Sequence, residues 1–159
     1  MQYKVGIGYD IHRLVGERKL MLGGIEIPYL KGLLGHSDGD SVLHAICDAM
    51  LGAMAKGDIG EHFPVADPKY DNISSIELLK KVDEIVKQSN YSIENIDISI
   101  IAEEPMLGPF KKQMARKIAE TLKIDEEKIN IKATTNEGLD DIGKGLAIAA
   151  YAVVLLSKA

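Results

Sequence analysis

One stretch near the N-terminus restricts the fold more than any other. From Gln2 to His12 the chain alternates. Val5, Ile7, Tyr9 and Ile11 fall on one side, and Gly6, Gly8, Asp10 and His12 on the other. A period of two is a β-strand. Residues i and i+2 of a strand share a face, so Asp10 and His12 point together. The glycines leave that face open upstream, with room for a ligand or for another backbone.

The rest of the chain supplies partners for this strand. "KLMLGGIEIPY" reads as two short strands around a Gly23-Gly24 turn. From Ser37 the period changes. Val42, Leu43, Ile46, Ala49, Met50 and Ala53 recur at three- and four-residue spacings, which predicts a helix. Ser37 or Asp38 would cap it, with Asp40 in its first turn, where a carboxylate suits the helix dipole. "SSIELLKKVDEIVKQS" predicts a second helix with Ile76, Leu79, Val82 and Val86 inward, capped by Ser74 or Ser75. "NIDISIIAEEP" alternates as a strand, and Pro109 opens a third helix carrying Phe110, Met114, Ile118 and Leu122. "KINIKATT" is another strand. The apolar run "LAIAAYAVVLL" is shorter than the ~20 residues a bilayer needs. It reads as a buried last helix over 146–157.

No repeat or linker divides the 159 residues, so one domain covers 1–159. The element order predicts an α+β fold. It is a two-layer α/β sandwich: a mixed four-stranded sheet covered by helices, plus a small N-terminal hairpin. A net charge of −5 with no basic patch argues against a nucleic-acid surface. The pattern contains no membrane span and no signal peptide. A single cysteine, Cys47, makes no internal disulfide, which points to a reducing compartment such as the cytoplasm, or a plastid stroma.

Three of the four histidines lie near carboxylates. His44 falls inside the first predicted helix and is the best third ligand beside Asp10 and His12. One Asp and two His leave a fourth position open, which is the catalytic rather than the structural pattern for Zn²⁺. Asp40, His44 and Asp48 share one helix stripe, so Asp40 or Asp48 would hold the free ring nitrogen of a ligating histidine. The competing reading is that these histidines are hydrogen-bonded core or surface residues; spacing alone does not bring strand and helix together. His62 has no such partners and reads as surface.

Other polar segments carry two readings each. "KGDIGEHFP" offers close backbone approach to a ligand at Gly60, or is a plain helix exit. "ATTNEG" stacks Thr134, Thr135, Asn136 and Glu137 after a strand. It can hold phosphate, with Glu137 on a hard cation, or be a polar turn. Lys144 between glycines adds one cation. Lys111, Lys112, Arg116 and Lys117 are a solvated helix face.

Taken together, "GYDIHRL", "IPYLKGLLGHSDGDSVLHAICDAMLGA", "GDIGEHFP" and "KATTNEGL" resemble the 2-C-methyl-D-erythritol 2,4-cyclodiphosphate synthase family, essentially end to end. The resemblance implies a homotrimer with active sites between neighbouring subunits. It implies a cyclising, CMP-releasing lyase of the non-mevalonate isoprenoid pathway, acting on 4-diphosphocytidyl-2-C-methyl-D-erythritol 2-phosphate. It makes Asp10, His12 and His44 the ligands of Zn²⁺, and Glu137 a ligand of Mg²⁺ or Mn²⁺ bridging substrate phosphates. His36 and Thr135 match positions that stabilise the transition state. Contacts to substrate are implied for Asp10, Ile11, His12, His36, Ser37, Asp58, Ile59, Gly60, Phe63 and Asp67. They are also implied for Thr134, Thr135, Asn136, Glu137 and Lys144. Ala102, Pro105, Met106 and Leu107 align with the segment that receives the cytidine.

The chain also departs from the family pattern. Val65 stands where an acid is common, Met106 for a common lysine, Asp140 and Asp141 for Gly and an aromatic, Lys144 for Arg, and Tyr151 for an acid. Lysine keeps the charge of arginine and loses its bidentate fork. Two other readings remain beside the synthase: a metal-dependent phosphodiesterase using water as nucleophile, and a non-catalytic trimer that binds a nucleotide or an isoprenoid phosphate.

Overall fold

The computed structural model describes residues 1–158. The chain begins with β1 (Gln2–Gly16), a hairpin of β2 (Leu20–Leu22) and β3 (Ile25–Ile27), and β4 (Lys31–Leu33). Helix α1 (Ser41–Ala53), the single turn α2 (Ile59–His62) and helix α3 (Ser75–Gln88) follow. Then come β5 (Ser92–Ile101), α4 (Lys111–Leu122), β6 (Ile129–Thr134), the turn α5 (Asp140–Gly143) and β7 (Ala147–Lys158). The sheet order is β4-β1-β7-β5-β6. Only β5 and β6 run parallel. The sheet is mixed as expected but has five strands where four were expected, and neither short β4 nor β7 was read as a strand.

The last element departs from the sequence reading. Residues 147–158 form a strand, not a helix, and lie between β1 and β5. Gln2 pairs with Lys158 at one end of the β1–β7 ladder and Arg13 with Ala147 at the other. A run that is apolar on both faces has no visible period. From Ala150 to Val154 the alternation is present all the same, while Ala147 and Ala149 at the start of the strand are buried on the outer side as well. Ile148, Ala150, Ala152, Val154 and Leu156 are buried, while Tyr151 and Val153 are exposed.

Helix α1 packs on β1 and β7, and the small residues show how closely. A Cβ at Gly6 would stand 1.9 Å from the Ala49 carbonyl oxygen, and one at Gly8 1.9 Å from that of Ala45. The glycine face of β1 therefore receives a backbone, and no space is left there for a ligand. Leu78, Leu79, Val82 and Val86 of α3 and Met114, Ile118 and Leu122 of α4 complete the buried layer; Ile76 is only half-buried. Helix α4 starts at Lys111, after a 3₁₀ turn over Gly108–Phe110 that contains Pro109.

Helices α1, α3 and α4 all lie on one side, and on the other only the turn α5 covers one end, through Ile142 against Ile101, Ala147 and Ala149. The other face of the sheet shows Tyr3, Val5, Ile7, Tyr9 and Ile11 of β1, with Tyr151 and Val153 of β7, to solvent in the single chain. No helix among the described residues is long and apolar enough to cross a membrane.

Candidate active site

The N-terminal turn of α1 fixes the site. Asp40, not Ser37 or Asp38, is the N-cap, and its carboxylate accepts from the Leu43 backbone N–H. The same carboxylate accepts from Gly23 N (3.0 Å) and Gly24 N (2.7 Å) at the hairpin tip. Both glycines have positive φ, as a tight two-residue turn demands. One buried carboxylate thus joins helix and hairpin one turn ahead of His44.

The close approach of α1 to β1 then brings His44 to Asp10. His44 Nδ1 lies 3.2 Å from Asp10 Oδ2, and His12 Nδ1 lies 2.7 Å from the same oxygen. One ligand atom from each of the three residues lies within 4.8 Å of the others. Strand and helix do meet, as the metal reading required.

The charges are coupled. Burial by itself would raise the Asp10 pKa, but the imidazoles of His12 and His44 set against its carboxylate outweigh it and hold the carboxyl below its ordinary range. Burial would lower the His44 pKa, and the Asp10 carboxylate reverses this and raises it. His12 Nδ1 is buried and close to Asp10, yet makes no aligned hydrogen bond. Two imidazole nitrogens converging on one carboxylate oxygen, one of them orphaned, suit a divalent ion of the Zn²⁺ type.

The far ring nitrogen of His44 is held differently from expectation. Its Nε2 lies 3.0 Å from Ser37 Oγ and 2.9 Å from Ser75 Oγ. Asp40 is spent on the cap, and Asp48 accepts from the Ile59 backbone N–H (2.7 Å). Both carboxylates lie on the predicted stripe, but backbone donors reach them first. Ser75, the first residue of α3 behind its N-cap Ser74, carried no sequence signal beyond helix capping.

Asp10, His12 and His44 line a cavity of about 200 Å³ together with His36, Ser37, Ile59, Gly60, Phe63 and Val65. His36 is exposed on the loop before α1. Arg18 pins that loop by donating to the carbonyls of Gly35 and Ser37. It was not legible in the sequence, because the contact joins residues 17 and 19 positions apart. Asp58 stands just outside the lining as N-cap of α2, and Asp67 caps the next 3₁₀ turn and pairs with Lys69. The Ile11 side chain is on the opposite, open face of β1. His62, partly buried, bonds through Nε2 to the Lys56 carbonyl (2.8 Å).

A second, wider cavity of about 660 Å³ lies at the other end of the sheet. Ala102, Pro105, Met106, Leu107, Thr134 and Thr135 line it, with Tyr29 and Lys111. Asn136 and Glu137 lie beyond its rim, in the turn leading to α5, where Asn136 Nδ2 donates to Asp140. Asp140 has φ of +58°, and its carboxylate accepts from Ile142 N and Gly143 N. An aspartate tolerates this conformation better than most residues and caps the turn as well, which accounts for its standing where glycine is usual. Lys144 is exposed and pairs with Asp141 at 3.7 Å, outside both cavities.

A family model named YgbB matches residues 3–157. The 2-C-methyl-D-erythritol 2,4-cyclodiphosphate synthase of Lachnospira eligens is 54% identical over 155 residues, 98% of this chain and 85% of that protein. That of Syntrophomonas wolfei is 52% identical over 156 residues, 98% and 99%. This chain belongs to the 2-C-methyl-D-erythritol 2,4-cyclodiphosphate synthase family. Among solved structures, the bifunctional IspDF of Campylobacter jejuni superposes with a TM-score of 0.96 at 42% identity. The match covers 99% of this chain but 43% of that longer protein. IspF of Plasmodium falciparum, solved as a CDP complex, superposes with a TM-score of 0.87 at 36% identity, covering 98% and 96%. The family model and both superpositions span nearly the whole described fold.

Proposed function

We propose that this chain converts 4-diphosphocytidyl-2-C-methyl-D-erythritol 2-phosphate into 2-C-methyl-D-erythritol 2,4-cyclodiphosphate and releases CMP. The observation that carries the reading is the Asp10, His12 and His44 cluster in one cavity with His36 and Ser37, in a chain of this family. The substrate supplies its own nucleophile. An oxygen of the 2-phosphate attacks the β-phosphorus and forms the new P–O bond. The bond from that phosphorus to the bridging oxygen breaks, and its electron pair leaves with CMP. No protein nucleophile is required, so the task of the chain is to position two anions and offset their repulsion.

Asp10, His12 and His44 would hold a divalent ion, read as Zn²⁺ from the donor set, which supplies positive charge to phosphate oxygens when bound. Glu137 is read as a ligand for a second ion, Mg²⁺ or Mn²⁺. Ser37 Oγ accepts from Gly39 N and faces His44 Nε2, so its own proton is free to be donated to a phosphate. His36 and Thr135 donate to the phosphates as charge develops. Ile59 and Gly60 face the methylerythritol part, and Ala102, Pro105, Met106 and Leu107 take the cytidine.

The two cavities share no lining residue. β1 and β6 are three strand positions apart in the sheet, roughly 14 Å. This separation supports a site assembled from two subunits of a homotrimer, with the open apolar face of β1 and β7 as the contact. Product analysis after incubation with the substrate, Zn²⁺ and Mg²⁺ tests the function. Cyclic diphosphate plus CMP is expected. A linear hydrolysis product would favour the phosphodiesterase, and binding without turnover the non-catalytic trimer. His44→Ala should abolish turnover with the fold retained; normal activity in that variant overturns the metal role.

A further inference from the structure

The hydrogen bonds behind His44 have a direction. Asp38, as a carboxylate, only accepts. It accepts from Asp40 N (3.1 Å), from Ser75 N (3.0 Å) and from Ser75 Oγ. The hydroxyl proton of Ser75 is therefore committed to Asp38. The Ser75 oxygen then has only lone pairs left for His44 Nε2, 2.9 Å away. That contact is favourable only when Nε2 carries a proton. A neutral ring with its proton on Nδ1 would set two lone pairs against each other across it, even where Ser37 Oγ, 3.0 Å from the same nitrogen, donates to Nε2. With Nε2 protonated, Nδ1 faces Asp10 Oδ2 at 3.2 Å, a contact that is favourable only with a second proton or a cation between the two lone pairs.

We infer that Asp38 and Ser75 form a positioning relay that fixes the ring of His44 with Nε2 protonated and commits Nδ1 to the ion shared with Asp10 and His12. The inference rests on the metal reading above. Nothing in the relay touches substrate: Asp38 and Ser75 lie outside the lining of the cavity, behind His44. A histidine ligand whose second nitrogen is anchored keeps one tautomer and one orientation, and loss of such an anchor typically weakens metal binding 10–100-fold.

The same bonds also dock α3 against the start of α1, so a structural role must be separated from the relay. Ser75→Ala does this. It keeps the backbone N–H that satisfies Asp38 and removes only the hydroxyl. The probe is Co²⁺, titrated against a chromophoric chelator, together with ¹⁵N-resolved NMR of the His44 ring in Zn²⁺-loaded protein. The unchanged protein should bind Co²⁺ and show a slowly exchanging Nε2 proton. Ser75→Ala should weaken Co²⁺ binding about tenfold or more and speed that exchange, and Ser75→Thr, which restores a hydroxyl, should recover both. Equal Co²⁺ affinity and equal exchange in folded Ser75→Ala overturns the relay alone. So does a His44 Nε2 proton in the unchanged protein that exchanges as freely as that of imidazole in water, a result that needs no variant to fold. Absence of Co²⁺ binding by the unchanged protein overturns the metal reading and the relay together.

Discussion

Two glycines decide where His44 stands. Gly6 and Gly8 are needed because α1 backbone occupies the space a side chain would fill. The clash at Gly8 is with the Ala45 carbonyl, the residue next to His44, and backbone cannot swing aside as a side chain does. Gly8→Ala should therefore cost about 3 kcal/mol or more of stability, the upper end for overpacking, and should lower activity further by pushing His44 away from Asp10. Urea denaturation and a turnover assay on the folded fraction check both parts. A loss below about 1 kcal/mol would mean that α1 slides freely on the sheet. The sequence showed that these glycines needed space; only the structure shows that backbone fills it.

Among the elements, those with one clean period were legible. Alternation marked β1, and the three- and four-residue spacing marked α1, α3 and α4. β7 was not, because its inner face is Ile148, Ala150, Ala152, Val154 and Leu156 while its outer face is apolar too. Alanine favours helix locally, and pairing to strands on both sides overrides it. The cluster of Asp10, His12 and His44 could be named because its members sit on two periodic elements. Ser75 and Arg18 could not, because their contacts are made by loops and helix starts. The α1 cap also carries a pH signature. Burial, opposed by the N–H groups of Gly24 and Leu43, pushes the Asp40 pKa from 3.8 up to about 6. The unfolded chain gives up this proton first, so ionisation between those values favours unfolding. The stability of the unchanged protein relative to Asp40→Asn should fall by roughly 2–3 kcal/mol as pH rises through that window and stay level above it. Denaturation at stepped pH measures this; a constant difference would show that Asp40 is ionised throughout.

At the level of the molecule, the unusual feature is an apolar sheet face without cover. Val5 and Ile7 are 67% and 69% exposed in the single chain, an arrangement soluble proteins rarely leave open. Tyr9 and Tyr151 stack across the β1–β7 ladder with ring centroids 4.8 Å apart, extending the patch. Ile7→Glu places a charge in the middle of this face, where water already surrounds it in the monomer. If the site is shared between subunits as proposed, the variant should keep its secondary structure, sediment as a monomer and lose turnover. A trimer of normal activity in this variant would place the contact elsewhere. Sedimentation velocity and circular dichroism on the same sample separate these outcomes.

The position of β7 also bears on how the chain is made. The strand that closes the sheet between β1 and β5 is the last of the sequence, and Asp10 pairs in register with Ala150. At ordinary rates of translation the ribosome needs roughly ten to thirty seconds to travel from one to the other. During that interval β1, and later β5 once it is made, wait with an open edge, the exposure that invites wrong pairing between nascent chains. Asp10, His12 and His44 all emerge early, yet the sheet that holds two of them is completed only when β7 leaves the exit tunnel. Ribosome-bound chains halted before residue 147 should therefore be protease-sensitive throughout β1, and chains extended past residue 158 protected.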